Sequence, residues 1–307
     1  MLCKYYKSVN GLVLTYTTKV LRRCLWRPIT NKMIKNNQSK QFLNFRRGRI
    51  SERNELRKQL RIRNNLEKRF YKKLNSLFRK FINVELYLYK EFGMSEPTIA
   101  AQRLNQEFLP LMFSHYRRVF STIYISNEDS YEMNKKADQE AFVFGRSIDF
   151  ESLVTTYFAS RQLVLSGVSQ RLANRISATI ELGRADNLTL PQIAKLVSDK
   201  YLPISRSRAA LISRTETHNA ASFANNTYHQ TIEKETGIKM MKKWVSTSDG
   251  RTRPSHASAN GQIVAMSEDF IVGGFPMEYA GDFKGGAANV VNCRCVIVYG
   301  DENDIIS

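Results

Sequence analysis

The sequence of 307 residues lacks several features that mark well-known protein classes. Its four cysteines, Cys3, Cys24, Cys293 and Cys295, do not form the dense pattern of a small secreted disulfide-bonded domain. No apolar run approaches the roughly 20 residues that a membrane-spanning helix requires. With 7 prolines, 15 glycines and 42% hydrophobic residues, the composition is that of a globular protein, and synthesis in a reducing cytoplasm is expected.

Acidic residues are missing from the first 51 positions, so the charge is unevenly distributed. Residues 1–80 contain 23 lysines and arginines against 3 acids, which accounts for the whole basic excess behind the net charge of +19. A basic segment joined to a neutral body favours a polyanionic partner, most often nucleic acid. The residues expected to contact it include Arg22, Arg23, Arg27, Arg46, Arg47, Arg49, Arg57, Lys58 and Arg61.

The acid-free segment leaves other interpretations open. It fits a mitochondrial transit peptide, although such peptides are usually rich in Ser and Ala, whereas this one is rich in Asn and Lys. Its partner could be DNA, RNA or an acidic lipid surface, and its aromatic residues could equally anchor it in a groove of another protein. Contact mainly with phosphates predicts weak sequence preference and steep salt dependence.

Three parts are expected along the chain. Residues 1–50 are weakly periodic and are interpreted as a basic flexible arm that orders only against a partner. Residues 51–200 show helical periodicity and are expected to form a helical domain. Residues 201–307 add short β-type runs between Gly-rich loops. The predicted fold class is therefore α+β, with a predominantly helical N-terminal and middle region and a small C-terminal α+β module.

Several helix boundaries are also predicted. Apolar residues recur every three or four positions over residues 51–92, which indicates one long amphipathic helix with Ser51 as its N-cap and Gly93 as its end. Thr189 is expected to start another helix. The polar run from Asn127 to Ser130 favours a loop.

The last third of the chain contains three motifs in a fixed order. They are Arg214-Thr215-Glu216-Thr217-His218, then Trp244 with Asp249, Arg253 and His256, and finally Asn292-Cys293-Arg294-Cys295 before a hydrophobic run. In this order and spacing they resemble the Mu F-like minor head (head morphogenesis) protein family of tailed phages. The resemblance covers about residues 200–300, and each motif alone would be unspecific.

The resemblance implies a minor head protein that acts at the portal or the inner capsid surface in head assembly, and its basic N-terminal arm is expected to contact DNA without sequence specificity. Its partners would be portal and capsid proteins and packaged DNA, with no membrane, and its location the virion after synthesis in the host cytoplasm. The motif residues expected to be structural are Arg214, Glu216, Trp244, Asp249, Arg253 and Asn292. Asp249 is expected to bond backbone amides two residues on, and Arg253 is a candidate partner of Glu216.

Three further residues are candidate ligands of a structural zinc ion: His256, Cys293 and Cys295. Alternate residues of an extended strand point to the same face, so the two thiols are expected to converge. Structural zinc takes about four ligands, and the last could come from Asp249, His218 or His229. Alternatively, the cysteines are small buried hydrophobic residues and the histidine makes an ordinary hydrogen bond.

No catalytic motif stands out, and we expect no enzymatic activity. The sequence lacks a Walker A loop, a G-X-S-X-G elbow and a zinc deaminase pattern. Asp249, His256 and Asn292 could be arranged as a metal-dependent nuclease site, but Cys-Arg-Cys fits such a site poorly. Another alternative is an RNA- or DNA-binding structural protein of ribosomal or organellar type.

Overall fold

The computed structural model describes residues 51–93, 96–132, 149–302 and 305. Residues 45–307 form one compact unit. The predicted arm over residues 1–50, including Arg22, Arg23, Arg27, Arg46, Arg47 and Arg49, lies outside the described residues. No helix within the described ranges is both long enough and apolar enough to cross a bilayer.

Four long helices make up most of the described chain. They are α1 (Glu52–Phe92), α2 (Pro97–Glu132), α3 (Phe150–Ala185) and α4 (Leu190–Thr236). Helix α4 contacts α1, α2 and α3, so it lies at the centre of the helical region. Together with the strands that follow it, this arrangement confirms the predicted α+β fold class.

The ends of α1 and the start of α4 lie where the sequence predicts them. Gly93 ends α1 in a left-handed conformation, with φ of 67°, and its N–H donates to the Tyr89 carbonyl at 2.8 Å. Thr189 caps α4, and its backbone N–H donates to Gln192 Oε1 at 2.8 Å in a capping box. Local sequence signals therefore determine these boundaries.

The loop predicted from Asn127 to Ser130 is wrong, because α2 continues through it to Glu132. The side chain of Asn127 is buried, and its amide donates to Asn225 Oδ1 of α4 at 2.8 Å. Buried polar groups are stable in helices when they find a partner, and here that partner comes from a distant part of the chain.

The domain boundary predicted between residues 200 and 201 falls inside α4. One hydrophobic core runs without interruption from Leu66 of α1 to Tyr299 near the end of the chain. The helical region and the C-terminal module therefore share a single core, which a continuous central helix makes possible.

Three strands of the C-terminal region form an antiparallel sheet. They are β1 (Met240–Val245), β2 (Ile263–Ala265) and β5 (Val296–Asp301), and β1 lies in the middle. A separate hairpin pairs β3 (Phe270–Val272) with β4 (Phe275–Met277) through two glycines that both adopt positive φ angles. Two short helices, α5 (Pro254–Ser258) and α6 (Gly286–Val290), lie before β2 and before β5.

Candidate functional site

Consecutive side chains of one stretch of α4, Arg214–Asn219, contact different parts of the protein, and we refer to this stretch as the signature segment. All of it except Arg214 is buried. Because this part of α4 is surrounded by other elements, its faces meet different neighbours. The polar residues that would be solvated on a surface helix must therefore find protein partners.

Glu216 joins α2, α3 and α4. Its Oε1 accepts a hydrogen bond from Arg161 Nη2 at 2.7 Å, and its Oε2 accepts one from the Tyr116 hydroxyl at 2.6 Å. The two charged side chains are only 7% and 8% exposed, and the Arg161 guanidinium lies 3.6 Å from the centre of the Phe283 ring. Burial disfavours the charge on Arg161, but the hydrogen-bonded Glu216 carboxylate raises the pKa of Arg161 above its ordinary value.

Thr217 bonds to α2 through a neutral histidine. The Nε2 atom of His115 lies 2.8 Å from Thr217 Oγ1, and the His115 ring stacks on Phe70 with 3.8 Å between ring centres. Burial lowers the pKa of His115 to about 3, so this ring is neutral at physiological pH. The contact therefore ties α1, α2 and α4 together without a charge.

Arg214 and Thr215 hold the segment before β5. Arg214 Nη1 donates to Asn292 Oδ1 at 3.1 Å, and its Nε lies 3.3 Å from Glu67 Oε1 of α1. The Asn292 backbone N–H donates to Thr215 Oγ1 at 3.3 Å. Asn292 adopts a left-handed conformation with φ of 59°, which asparagine tolerates better than most residues.

The predicted pairing of Arg253 with Glu216 is wrong. Arg253 Nη2 donates to the Val291 carbonyl, whereas the carboxylate of Glu216 is occupied by Arg161. The two residues belong to the same motif set, but they lie on different elements and stabilise different junctions.

Asp249 makes the predicted turn contact, since its Oδ1 accepts from the Arg251 backbone N–H at 3.1 Å. Both of its oxygens also accept hydrogen bonds from Arg294, each at 2.6 Å. These bonds from Arg294 hold the pKa of Asp249 well below its usual range. The Asp249 carboxylate is therefore already paired with Arg294.

His256, Cys293 and Cys295 converge as the sequence predicted, and we call them the soft-donor cluster. His256 Nδ1 lies 3.2 Å from Cys295 Sγ and 3.6 Å from Cys293 Sγ. All three ligand atoms lie within 4.8 Å of one another, and all three side chains are buried. Trp244, fully buried as expected, packs edge-on against the His256 ring with 5.7 Å between ring centres.

The two thiols have opposite electrostatic environments. A hydrogen bond with Cys295 lowers the pKa of Cys293 well below its ordinary value, with His218 and His256 acting in the same direction. The same hydrogen bond, together with burial, raises the pKa of Cys295. The pair therefore favours one thiolate, which is a species suited to metal binding.

Helix α1 reaches the soft-donor cluster through Arg63, a residue that the sequence analysis did not single out. Arg63 Nη1 donates to the Cys295 carbonyl at 3.0 Å and to His218 Nδ1 at 2.9 Å. Burial lowers the pKa of Arg63 to about 10, which still leaves it charged at neutral pH. A signal was available, because Arg63 follows Gln59 by four positions and precedes Leu66 by three, on the buried stripe of α1.

The other candidate donors differ in position. His229 is engaged away from the cluster, with Nδ1 2.7 Å from the Asn225 carbonyl oxygen and its ring stacked on Tyr299. Asp249 is held by Arg294, as described above. Of the three, His218 is the one whose imidazole lies beside Cys293 and acts on its pKa.

The exposed side of α1 carries a row of basic residues. Arg57 and Arg61 are exposed, as a nucleic-acid contact requires, whereas Lys58 Nζ donates to the Ser126 carbonyl of α2 at 3.1 Å. Five exposed residues of this row, at alternating spacings of four and seven positions, form what we call the cationic stripe: Arg57, Arg61, Lys68, Lys72 and Arg79. Such spacings place side chains on one face of a helix.

Comparison with known proteins places this site in context. Residues 170–298 match the family described as Phage Mu protein F like protein, which confirms the Mu F-like resemblance over that range. The chain is 30% identical to "Minor head protein GP7" of Bacillus phage SPP1 over 146 residues, covering 47% of this chain and 46% of that protein. It is also 30% identical to "NAD(+)--arginine ADP-ribosyltransferase EFV" of Enterococcus faecalis over 127 residues, covering 41% of this chain and 26% of that protein.

The chain thus spans about half or less of the length of the curated relatives it matches. No solved structure matches the chain. The region of family similarity contains the signature segment, Trp244, Asp249 and the soft-donor cluster.

Replacing Glu216 with glutamine should strongly destabilise the protein, because Arg161 would keep its buried charge without a countercharge. The expected loss in the free energy of unfolding is about 3–5 kcal/mol, measured by urea denaturation. The matched control is Glu107→Gln, which breaks an ion pair with Lys80 whose side chains are 61% and 52% exposed. That change should cost less than about 1 kcal/mol, and equal losses for the two variants would contradict the central role of the buried pair.

The ion pair between Asp249 and Arg294 should make stability depend on acid pH. The folded-state pKa of Asp249 is depressed, so its contribution is complete above the unfolded pKa of about 3.9 and is lost as the pH falls through the folded value. Asp249→Asn should therefore lower the urea midpoint at neutral pH. The difference in urea midpoint between this variant and the unmodified protein should become smaller below about pH 4. Asp199→Asn, at an exposed site on α4, serves as the control. If the urea midpoint of Asp249→Asn lies below that of the unmodified protein by the same amount at every pH, the ion pair is not the cause.

Proposed function

We propose that this protein, whose residues 170–298 are Mu F-like, is a minor head protein of a tailed phage that acts in head assembly at the portal or the inner capsid surface. The observation that carries the proposal is the similarity to a named minor head protein, together with a family match that contains the signature segment, Trp244 and the soft-donor cluster. The proposed partners are portal and capsid proteins and packaged DNA. The proposed location is the virion, after synthesis in the host cytoplasm.

The motif residues support a structural role in this proposal. Glu216 and Trp244 are buried, and Asn292 and Asp249 are bound by Arg214 and Arg294 respectively. Each side chain is thus used to join elements of the fold. We infer that the Mu F-like region is a folded scaffold that positions the rest of the chain.

We further propose that the protein is not an enzyme. The three residues that sequence reasoning could assign to a nuclease are separated by their contacts: Asp249 binds Arg294, Asn292 binds Arg214, and His256 is buried in the soft-donor cluster. They do not present a joint surface to a phosphodiester. The relative named as an ADP-ribosyltransferase is matched over 26% of its length, and its activity is not carried over to this chain.

The cationic stripe of α1 supports non-specific contact with DNA. From Arg57 to Arg79 it extends over 22 residues, which is about 33 Å at the helical rise of ~1.5 Å per residue. Lysines and arginines along such a face interact with phosphates and release counterions, giving affinity without sequence preference. Residues 1–50, which precede the stripe in the sequence, are also basic, and we propose that both segments contact DNA.

Particles of the phage that encodes this chain should contain it in small numbers at one vertex. Localised cryo-electron microscopy reconstruction around the portal should reveal density that fits α1 to α4, and mass spectrometry should give few copies per particle. Particles lacking the gene should show defective head assembly. Normal head assembly without the gene, or particles that contain none of the protein, would refute the proposal. Copies spread evenly over the shell would favour the inner capsid surface over the portal.

Binding of the full chain to a short DNA duplex should weaken steeply with salt, as measured by fluorescence anisotropy. Neutralising three residues of the stripe, in the combined variant Arg57→Gln, Arg61→Gln and Lys68→Gln, should reduce the slope of log affinity against log salt by about 2–3, since each phosphate contact contributes about 0.9. Deleting residues 1–50 should remove most of the remaining salt-sensitive affinity.

The matched control removes the same charge from α4, at the exposed residues Lys195, Lys200 and Arg206. This control should bind DNA nearly as well as the unmodified protein. If the α4 control weakens binding as much as the α1 variant, the contact is a general charge effect and the stripe is not the surface.

A further inference from the structure

We propose that Cys293, Cys295 and His256 bind one zinc ion, and that this ion fastens the start of β5 to α5 and, through Arg63, to α1. The inference is independent of the role in the phage head. It rests on the geometry of the soft-donor cluster and on the contacts that surround it.

The distances within the cluster fit a tetrahedral ion. Zinc binds cysteine sulfur at about 2.3 Å and histidine nitrogen at about 2.0–2.1 Å, which separates the two donor atoms by about 3.5 Å at a tetrahedral angle. His256 Nδ1 lies 3.2 Å from one sulfur and 3.6 Å from the other. The cluster is buried and comes from two segments 37 residues apart in sequence, so its convergence is a property of the fold.

The donor types favour zinc over other common ions. Two thiolates and an imidazole are soft or borderline ligands, which suit zinc far better than the oxygen-seeking Mg²⁺ and Ca²⁺. Two thiolates also neutralise the double charge of the ion, which matters at a buried position next to the cationic Arg63.

His218 is assigned to the surroundings of the ion and not to its ligands. Its Nδ1 faces Arg63 Nη1 at 2.9 Å, and a guanidinium can only donate, so Nδ1 must accept. The ring hydrogen of the neutral imidazole is then on Nε2, and the buried His218 side chain hydrogen-bonds that of Cys293. A protonated Nε2 has no free lone pair for a metal, so the fourth position of the ion takes a donor outside this histidine.

The ion would add a strong bond to the contacts that hold α5 and the segment before β5. Helix α5 has only five residues and is too short to be stable by its own hydrogen bonds. A metal bond from His256 to the cysteines would fix this helix to the segment before β5. Because Arg63 donates to the Cys295 carbonyl, the same bond would also hold the site against α1.

The first test is the metal content of the purified full chain, measured by plasma mass spectrometry after dialysis against zinc. About one zinc per chain is expected, and less than about 0.2 in folded protein would overturn the proposal. Cys293→Ser, Cys295→Ser and His256→Gln should each lose the ion. Cys24→Ser, which removes a thiol outside the described residues, should retain it.

His218→Gln separates a ligand from a neighbour. The variant should still bind about one zinc per chain, although with lower affinity, since outer contacts typically change affinity about 10–100-fold. Complete loss of zinc from folded His218→Gln would contradict the assignment and make His218 the fourth ligand.

A second measurement does not depend on variants that could fail to fold. Cobalt(II) added to the metal-free full chain should give thiolate-to-metal charge-transfer absorption and the intense visible bands of a tetrahedral ion, and zinc should displace both. Removal of zinc with a chelator should speed amide hydrogen exchange in α5, in the first residues of β5 and around Arg63, with no change in α3. A spectrum of octahedral cobalt, or exchange that does not respond to the chelator, would overturn the proposal.

Discussion

The structure depends most on the burial of the middle of α4, where the signature segment lies. Polar side chains there are removed from water, and Thr215, Glu216 and Thr217 find their partners within the protein. The strongest of these interactions joins Glu216 to Arg161, with Tyr116 as a second donor, and it connects three of the four long helices at one carboxylate. An unpaired charge at this depth would destabilise the fold by several kcal/mol, so the pairing of Glu216 with Arg161 is required for stability.

Local order was predictable from the sequence, whereas partners from distant parts of the chain were not. Three features of local order agree with the sequence prediction: the apolar face of α1, its end at Gly93 and the cap at Thr189. Each depends on residues within a few positions of one another. The loop predicted near Asn127 was wrong because its amide is satisfied by Asn225, 98 residues away. Polar composition indicates a loop only where the polar groups meet water, and no local pattern reveals that they meet another helix.

In the candidate site, too, local features were predictable from the sequence and distant partners were not. Convergence of Cys293 and Cys295 follows from their spacing in extended chain, and His256 was identified because few other residue types bind soft metals. The partner of Glu216 was missed, because Arg161 lies 55 residues earlier on a helix whose charged residues are otherwise exposed. The role of Arg63 could have been predicted from the sequence, because Arg63 lies at a buried position in the three-to-four-residue spacing of α1. An arginine at such a position requires buried acceptors.

The arrangement separates the part of the chain that identifies its family from the part suited to contact a polyanion. The motif residues of the family-matched region are engaged in contacts within the protein. Helix α1 presents five basic side chains on one exposed face and reaches the soft-donor cluster through Arg63 on its opposite face. Helix α1 would therefore transmit a force that acts on the cationic stripe to the segment where β5 begins. A metal bond at that point is the kind of constraint that would hold α1 in place, because the metal bond and the Arg63 contact both act on Cys295.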